Sequence, residues 1–356
     1  MNFIATQKPL IFILNIFGFF SFKFTNEGIS NYHNYRVIFV CVVKNLLNQF
    51  SFLYVHYYFT NNVKGFLEDE TEVTKMALWL QAVVQEFCSL VIFYTRLASR
   101  GLQIKFFEHL FAIEMKVELL QFSTLNAKMF NQKMRSKCCI YCSTMIGLYT
   151  MILILYSNVL PDEQYYFYFF ETINYTVVII YAIFIAIFMD NVLTAIGFYF
   201  EEINKNLQNF IAVPGSNLFS FHEIEIRDLF QLHNELIQVI EHFNDTFGMI
   251  FVGIFVFTFG MMAFELYFGY TVIILSSHTV PFDFVNIITN IFCYIPLFVI
   301  VSKVGFSCES VHEKVSLQKI RIHYYLYSFS FLGQRNRTNI KKLFTLFTFI
   351  MLQTEG

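Results

Sequence analysis

Three carboxylates stand where a water-soluble protein would rarely put them. Glu86, Glu171 and Glu265 each lie within, or at the edge of, a long apolar run. A charge facing lipid costs several kcal/mol, so such groups turn toward protein or a water-filled cavity. Two roles fit each one: contact with a ligand or ion, or pairing between helices. Lys44 also sits in an apolar run, near its end, where a long side chain can snorkel to the interface. Aromatic and amide residues cluster in neighbouring positions: Trp79, Tyr156, Tyr165, Tyr175, Tyr267 and Tyr270, with Gln85, Asn174 and Asn286. Rings at the headgroup level anchor membrane helices without any ligand. The same set also suits a small-molecule pocket with aromatic walls and a few polar groups. On that second reading the ligand-contacting residues are Trp79, Gln85, Glu86, Tyr156, Glu171, Tyr175, Glu265, Tyr270 and Asn286.

Other reactive side chains carry less. Cys138, Cys139 and Cys142 are closely spaced, but no histidine or second cysteine pair stands at metal-ligand spacing, so they read as ordinary thiols. A lone His233 on an amphipathic stretch reads as a packed or hydrogen-bonded ring. No nucleophile–base pair, phosphate-cradling loop or metal-ligand cluster is visible, so the sequence offers nothing for an enzyme and implies no cofactor and no metal.

The elements that must position these groups are set by composition. Of 356 residues, 56% are hydrophobic and only 14% charged, and 48 are Phe. Soluble domains carry roughly 25% charged residues, and a water-facing surface could not hide so many rings. Lipid as solvent removes the difficulty. The net charge of −2 shows no basic excess and argues against a nucleic-acid partner. A membrane-crossing helix takes about 20 apolar residues. Candidate spans fall at 37–59, 76–97, 138–160, 165–189, 247–275 and 284–301, with a shorter apolar stretch at 340–353. The expectation is a single all-α domain over 1–356, a polytopic membrane protein of about seven transmembrane helices. The polar stretches 98–137, 201–246 and 303–339 are long enough to hold helices extending beyond the bilayer. The apolar run 9–22 near the start resembles a secretory signal but lacks a small-residue cleavage site, with Phe22, Lys23 and Phe24 where Ala-x-Ala would stand. It reads as a retained interfacial or re-entrant segment.

Lys and Arg placement orients the chain. Lys8, Lys23 and Arg36 precede the first span, and the loops after the second and sixth spans are rich in Lys and Arg. All share one side if the helices alternate. The first opposite loop sets Lys64 and Lys75 against Glu68, Asp69, Glu70 and Glu72. A cytoplasmic N-terminus follows. A G-protein-coupled receptor has the reverse orientation, and its Asp/Glu-Arg-Tyr and Asn-Pro-x-x-Tyr signatures are missing here.

Several short blocks carry a family resemblance. Residues 191–207 read NVLTAIGFYFEEINKNL. Residues 226–267 place Leu229, His233, Leu236, Asn244, Phe247 and Gly248 in a Leu-x3-His-x2-Leu…Asn-x2-Phe-Gly pattern entering the fifth span. Phe17-Gly18 and Ser21-Phe22 near the start, and Cys308-Glu309 after the sixth span, complete the pattern. Together these resemble the insect gustatory receptor family. The resemblance implies a plasma-membrane, multi-pass taste receptor: a ligand-gated, weakly selective cation channel that detects small-molecule tastants. It further implies a homo- or heterotetramer with related receptors, each subunit binding tastant between outer helix halves. The last helix would line the pore, placing Phe349, Leu352 and Gln353 there. A non-conducting partner subunit is the alternative, and a G-protein-coupled receptor a more distant one.

The C-terminal stretch departs from the family's Thr-Tyr-five-apolar-Gln-Phe ending. Gln353 and the apolar register before it match, but the Thr, Tyr and final Phe do not. Residues 340–352 also fall short of a full crossing, and extending the helix backward would draw Arg335 and Arg337 into the membrane. The expectation is that the chain alone conducts poorly.

Overall fold

The structure is a computed structural model. It describes residues 3–16, 19–20, 22–25, 28–30, 97–119, 124–159, 165–212, 219–275 and 294–316, with single positions between 35 and 95. Seven helices can be numbered: α1 (Phe3–Thr6), α2 (Lys8–Ile16), α3 (Arg100–Leu119), α4 (Thr124–Val159), α5 (Tyr165–Ala212), α6 (Phe219–Leu275) and α7 (Tyr294–Ser316). The described positions between 80 and 98 are also helical. The described residues are almost entirely helical, as the sequence implies. One departure is a small antiparallel hairpin, β1 (Lys23–Thr25) with β2 (Gly28–Ser30), paired Phe24 to Ile29.

α5 is the central element. Its stretch 178–189 is apolar all round, and residues 182–189 are buried without interruption. A helix with no polar stripe is enclosed on every side. The most apolar window of Val178–Asn206 is 83% buried, against 39% in Gln231–Tyr267 on α6 and 33% in Tyr294–Ser316. These three helices are long and apolar enough to cross a membrane, by length and composition, among the described residues.

The outer helices reverse the soluble pattern. α4 exposes Ile140, Ile146, Met151 and Ile154, while α6 exposes Met249, Val252, Phe255, Val256 and Phe259. Apolar faces this large mark contact with lipid or a partner. Two glycines let the 80–98 segment approach α6 closely. A Cβ on Gly253 would lie 3.3 Å from Ile92 Cγ1 and 3.4 Å from Val91 Cγ1, and one on Gly260 3.3 Å from Val84 Cγ1. Small residues at helix contacts serve this purpose in membranes, where packing replaces the hydrophobic drive.

The N-terminal run enters the bundle. Pro9 sits in the first turn of α2, where its missing N–H costs nothing. Phe19 N–H donates to Leu14 O at 2.8 Å, closing the helix end. Leu10 and Leu14 are fully buried. Phe20 then packs edge-on against Phe107 of α3 and Phe188 of α5, at 5.9 and 5.5 Å between centroids. Phe24 meets Phe107 at 4.9 Å, which fastens the hairpin to α3.

Candidate functional site

The described residues gather two buried polar nodes around α5. The first is built on Asp190, which is fully buried and follows the uninterrupted apolar stretch 182–189. Lys137 Nζ of α4 donates to its Oδ2 at 2.6 Å, and Ser307 Oγ of α7 to its Oδ1 at 2.6 Å. Lys303 Nζ of α7 stands 3.6 Å from Oδ2 and donates to Tyr141 OH at 2.5 Å. The same ammonium lies 5.0 Å from the Tyr141 ring centroid, within cation–π range. Next along α5, Asn191 Nδ2 donates to Gln7 Oε1 at 2.8 Å. One short stretch of α5 thus ties α4, α7 and the N-terminal segment together. A buried carboxylate is tolerated because each oxygen receives a charge-assisted or hydroxyl hydrogen bond. Asp190 is itself the signal that could have revealed this node: an ionisable residue inside an apolar run is a site by default.

The second node is Glu114 on α3, only 4% exposed. Its Oε1 accepts from Phe3 N–H at 2.7 Å and from Tyr199 OH of α5 at 3.1 Å. Burial pushes the carboxyl up to about 7, against those two hydrogen bonds, which favour the charged form. Leu110, Ile113 and Val117 share its buried helix face. A glutamate on the apolar stripe of an otherwise polar stretch was the available clue.

The residues expected to contact ligand are described unevenly. Glu265 is buried on α6 at 4% exposure and is not isolated there, whereas Tyr270 is 65% exposed. Glu171, Tyr156 and Tyr175 lie on helices α5 and α4, but nothing is described of their side chains. Trp79, Gln85, Glu86 and Asn286, and the pore positions Phe349, Leu352 and Gln353, lie outside the described residues. The three apolar stretches expected at 138–160, 165–189 and 247–275 fall on α4, α5 and α6, and all three helices extend well beyond them. His233 is buried, with its ring edge-on to Phe200 at 5.7 Å. Cys138 and Cys142 are buried thiols and Cys139 is exposed. Among the described residues, no group of three or more His, Cys, Asp or Glu is gathered to hold a metal ion.

A helical bundle whose outer helices expose apolar faces, around an enclosed apolar helix that holds a paired buried carboxylate, is a polytopic membrane protein. The family model described as 7tm chemosensory receptor matches residues 7–328, nearly the whole chain. The chain belongs to the seven-transmembrane chemosensory receptor family. Comparison with curated proteins and with solved structures returns no significant match.

Proposed function

We propose that this chemoreceptor is a ligand-gated, non-selective cation channel of the plasma membrane that detects small-molecule tastants. The family match over residues 7–328 carries the reading, and the resemblance of 191–207 and 226–267 to gustatory receptors narrows it. In this reading the chain crosses the membrane about seven times from a cytoplasmic N-terminus. It assembles as a homo- or heterotetramer with related receptors. Tastant binds among Trp79, Gln85, Glu86, Tyr156, Glu171, Tyr175, Glu265, Tyr270 and Asn286, and Phe349, Leu352 and Gln353 line the pore. Ligand shifts a closed–open equilibrium only by binding the open state more tightly. The helix carrying Glu171 is α5, which also carries Asp190, so displacement at the ligand end of α5 is transmitted to the node joining α4 and α7.

Glu171→Gln and Glu265→Gln test the pocket. If these carboxylates face ligand, each variant shifts the concentration–response curve at unchanged surface level. Loss of surface level alone, with no change in ligand response, assigns them to helix pairing instead.

A further inference from the structure

α3 and α6 pack antiparallel. Phe106 meets Phe247 at 5.6 Å between centroids near one end, and Lys116 donates to Glu235 near the other. Between these contacts His109 of α3 faces His242 of α6, with ring centroids 4.9 Å apart and planes at 58°. His242 Nδ1 is buried and has no hydrogen-bond partner among the described residues, while His109 is exposed and gives access from solvent. A buried imidazole nitrogen without a partner is an unmet polar demand. The other role open to that nitrogen is metal ligation.

We propose that His109 and His242 form a two-histidine site for a late first-row divalent cation such as Zn²⁺. With a Zn–N bond of about 2.0–2.1 Å, the ion lies roughly 3.2 Å from each ring centroid, so two rings on one tetrahedral ion stand roughly 5 Å apart. The observed centroid spacing of 4.9 Å agrees with that separation. The flanking charged groups, Lys105 and Glu108 on α3 and Glu241 and Asp245 on α6, are exposed. No third His, Cys, Asp or Glu is gathered with this pair among the described residues, so water completes the coordination, and the ion bridges α3 to α6 as a clamp that holds the two helices together. The ligands are unprotonated imidazole nitrogens, so protons compete with the cation for the same positions.

The test uses the purified full chain in detergent and the metal alone as probe. The thermal unfolding midpoint is measured against Zn²⁺, Ni²⁺ and Mg²⁺ at about pH 7.5. A cation that binds only the folded state raises the midpoint, and the rise grows with the logarithm of its concentration. The expected result is a saturable rise with Zn²⁺ and Ni²⁺ and none with Mg²⁺. His109→Ala abolishes the rise, and so does His242→Ala. The exposed His312→Ala on α7 leaves it intact. Should His242→Ala fail to fold, His109→Ala alone decides, because that side chain is exposed. The site is overturned if the unaltered chain shows no saturable rise, or if the rise survives His109→Ala.

Discussion

Glu114→Gln isolates the cost of burying one carboxylate. Burial lifts its pKa from 4.5 to about 7. At neutral pH and above, the folded chain therefore holds a charge that the unfolded chain carries more easily. Between those two values the folded state keeps a proton that the unfolded state has released. The contribution of Glu114 to stability is greatest below about pH 4.5, falls as the pH rises toward 7, and levels off above it. At 1.36 kcal/mol per pKa unit the loss is about 3 kcal/mol. Glutamine keeps an oxygen for Phe3 N–H and Tyr199 OH but does not titrate. The variant should match the native chain near pH 4.5 and exceed it by up to about 3 kcal/mol at pH 8. Denaturant unfolding in detergent at both pH values measures this difference. A variant less stable at pH 8, or a gap independent of pH, refutes the reasoning.

Asp190 sets a second expectation. Lys137 is nearer to it than Lys303, at 2.6 against 3.6 Å, and its side chain is less exposed, at 20% against 37%. Lys137→Met should therefore destabilise more than Lys303→Met, with Asp190→Ala the most severe at about 3–5 kcal/mol, read as surface delivery and unfolding midpoint. Gly253→Val places methyl groups against Ile92 and Val91 and should cost about 1–3 kcal/mol by overpacking. Gly147→Ala, with nothing among the described residues within 4 Å of the added Cβ, should be neutral or slightly stabilising in the same unfolding assay. The sequons at Asn244 and Asn336 should stay unmodified on the cytoplasmic side. A glycosidase-sensitive mass shift that disappears in Asn244→Gln or Asn336→Gln reverses the orientation.

The helical membrane architecture was legible because lipid demands it: long apolar runs are the largest signal a sequence carries, and α4, α5 and α6 all show it. The hairpin at Lys23–Ser30 was not. Its three-residue strands are too short for a period, and what holds them is remote packing of Phe22 and Phe24 on Phe107. The first polar node was half visible. The span at 165–189 stops one residue before Asp190, although its apolar character runs on toward Phe200, and the buried helix continues through Val192, Ile196 and Phe200. The burial of that carboxylate depends on Lys137 and Lys303, distant in sequence and each beside an apolar run, where they read as interfacial cations. Glu114 was hidden differently, in a stretch whose average polarity concealed one apolar face. His109 and His242 lie 133 residues apart in number and meet only because α3 and α6 are antiparallel.

Cation current under ligand decides whether this receptor is a channel. The chain is expressed at the cell surface, alone and with a related receptor subunit. Whole-cell current is recorded under a panel of sugars and bitter compounds, with G-protein signalling blocked. The account predicts a rapid, non-selective cation current that requires this chain and persists under the block. A response abolished by the block, or no current from any combination despite confirmed surface delivery, contradicts it.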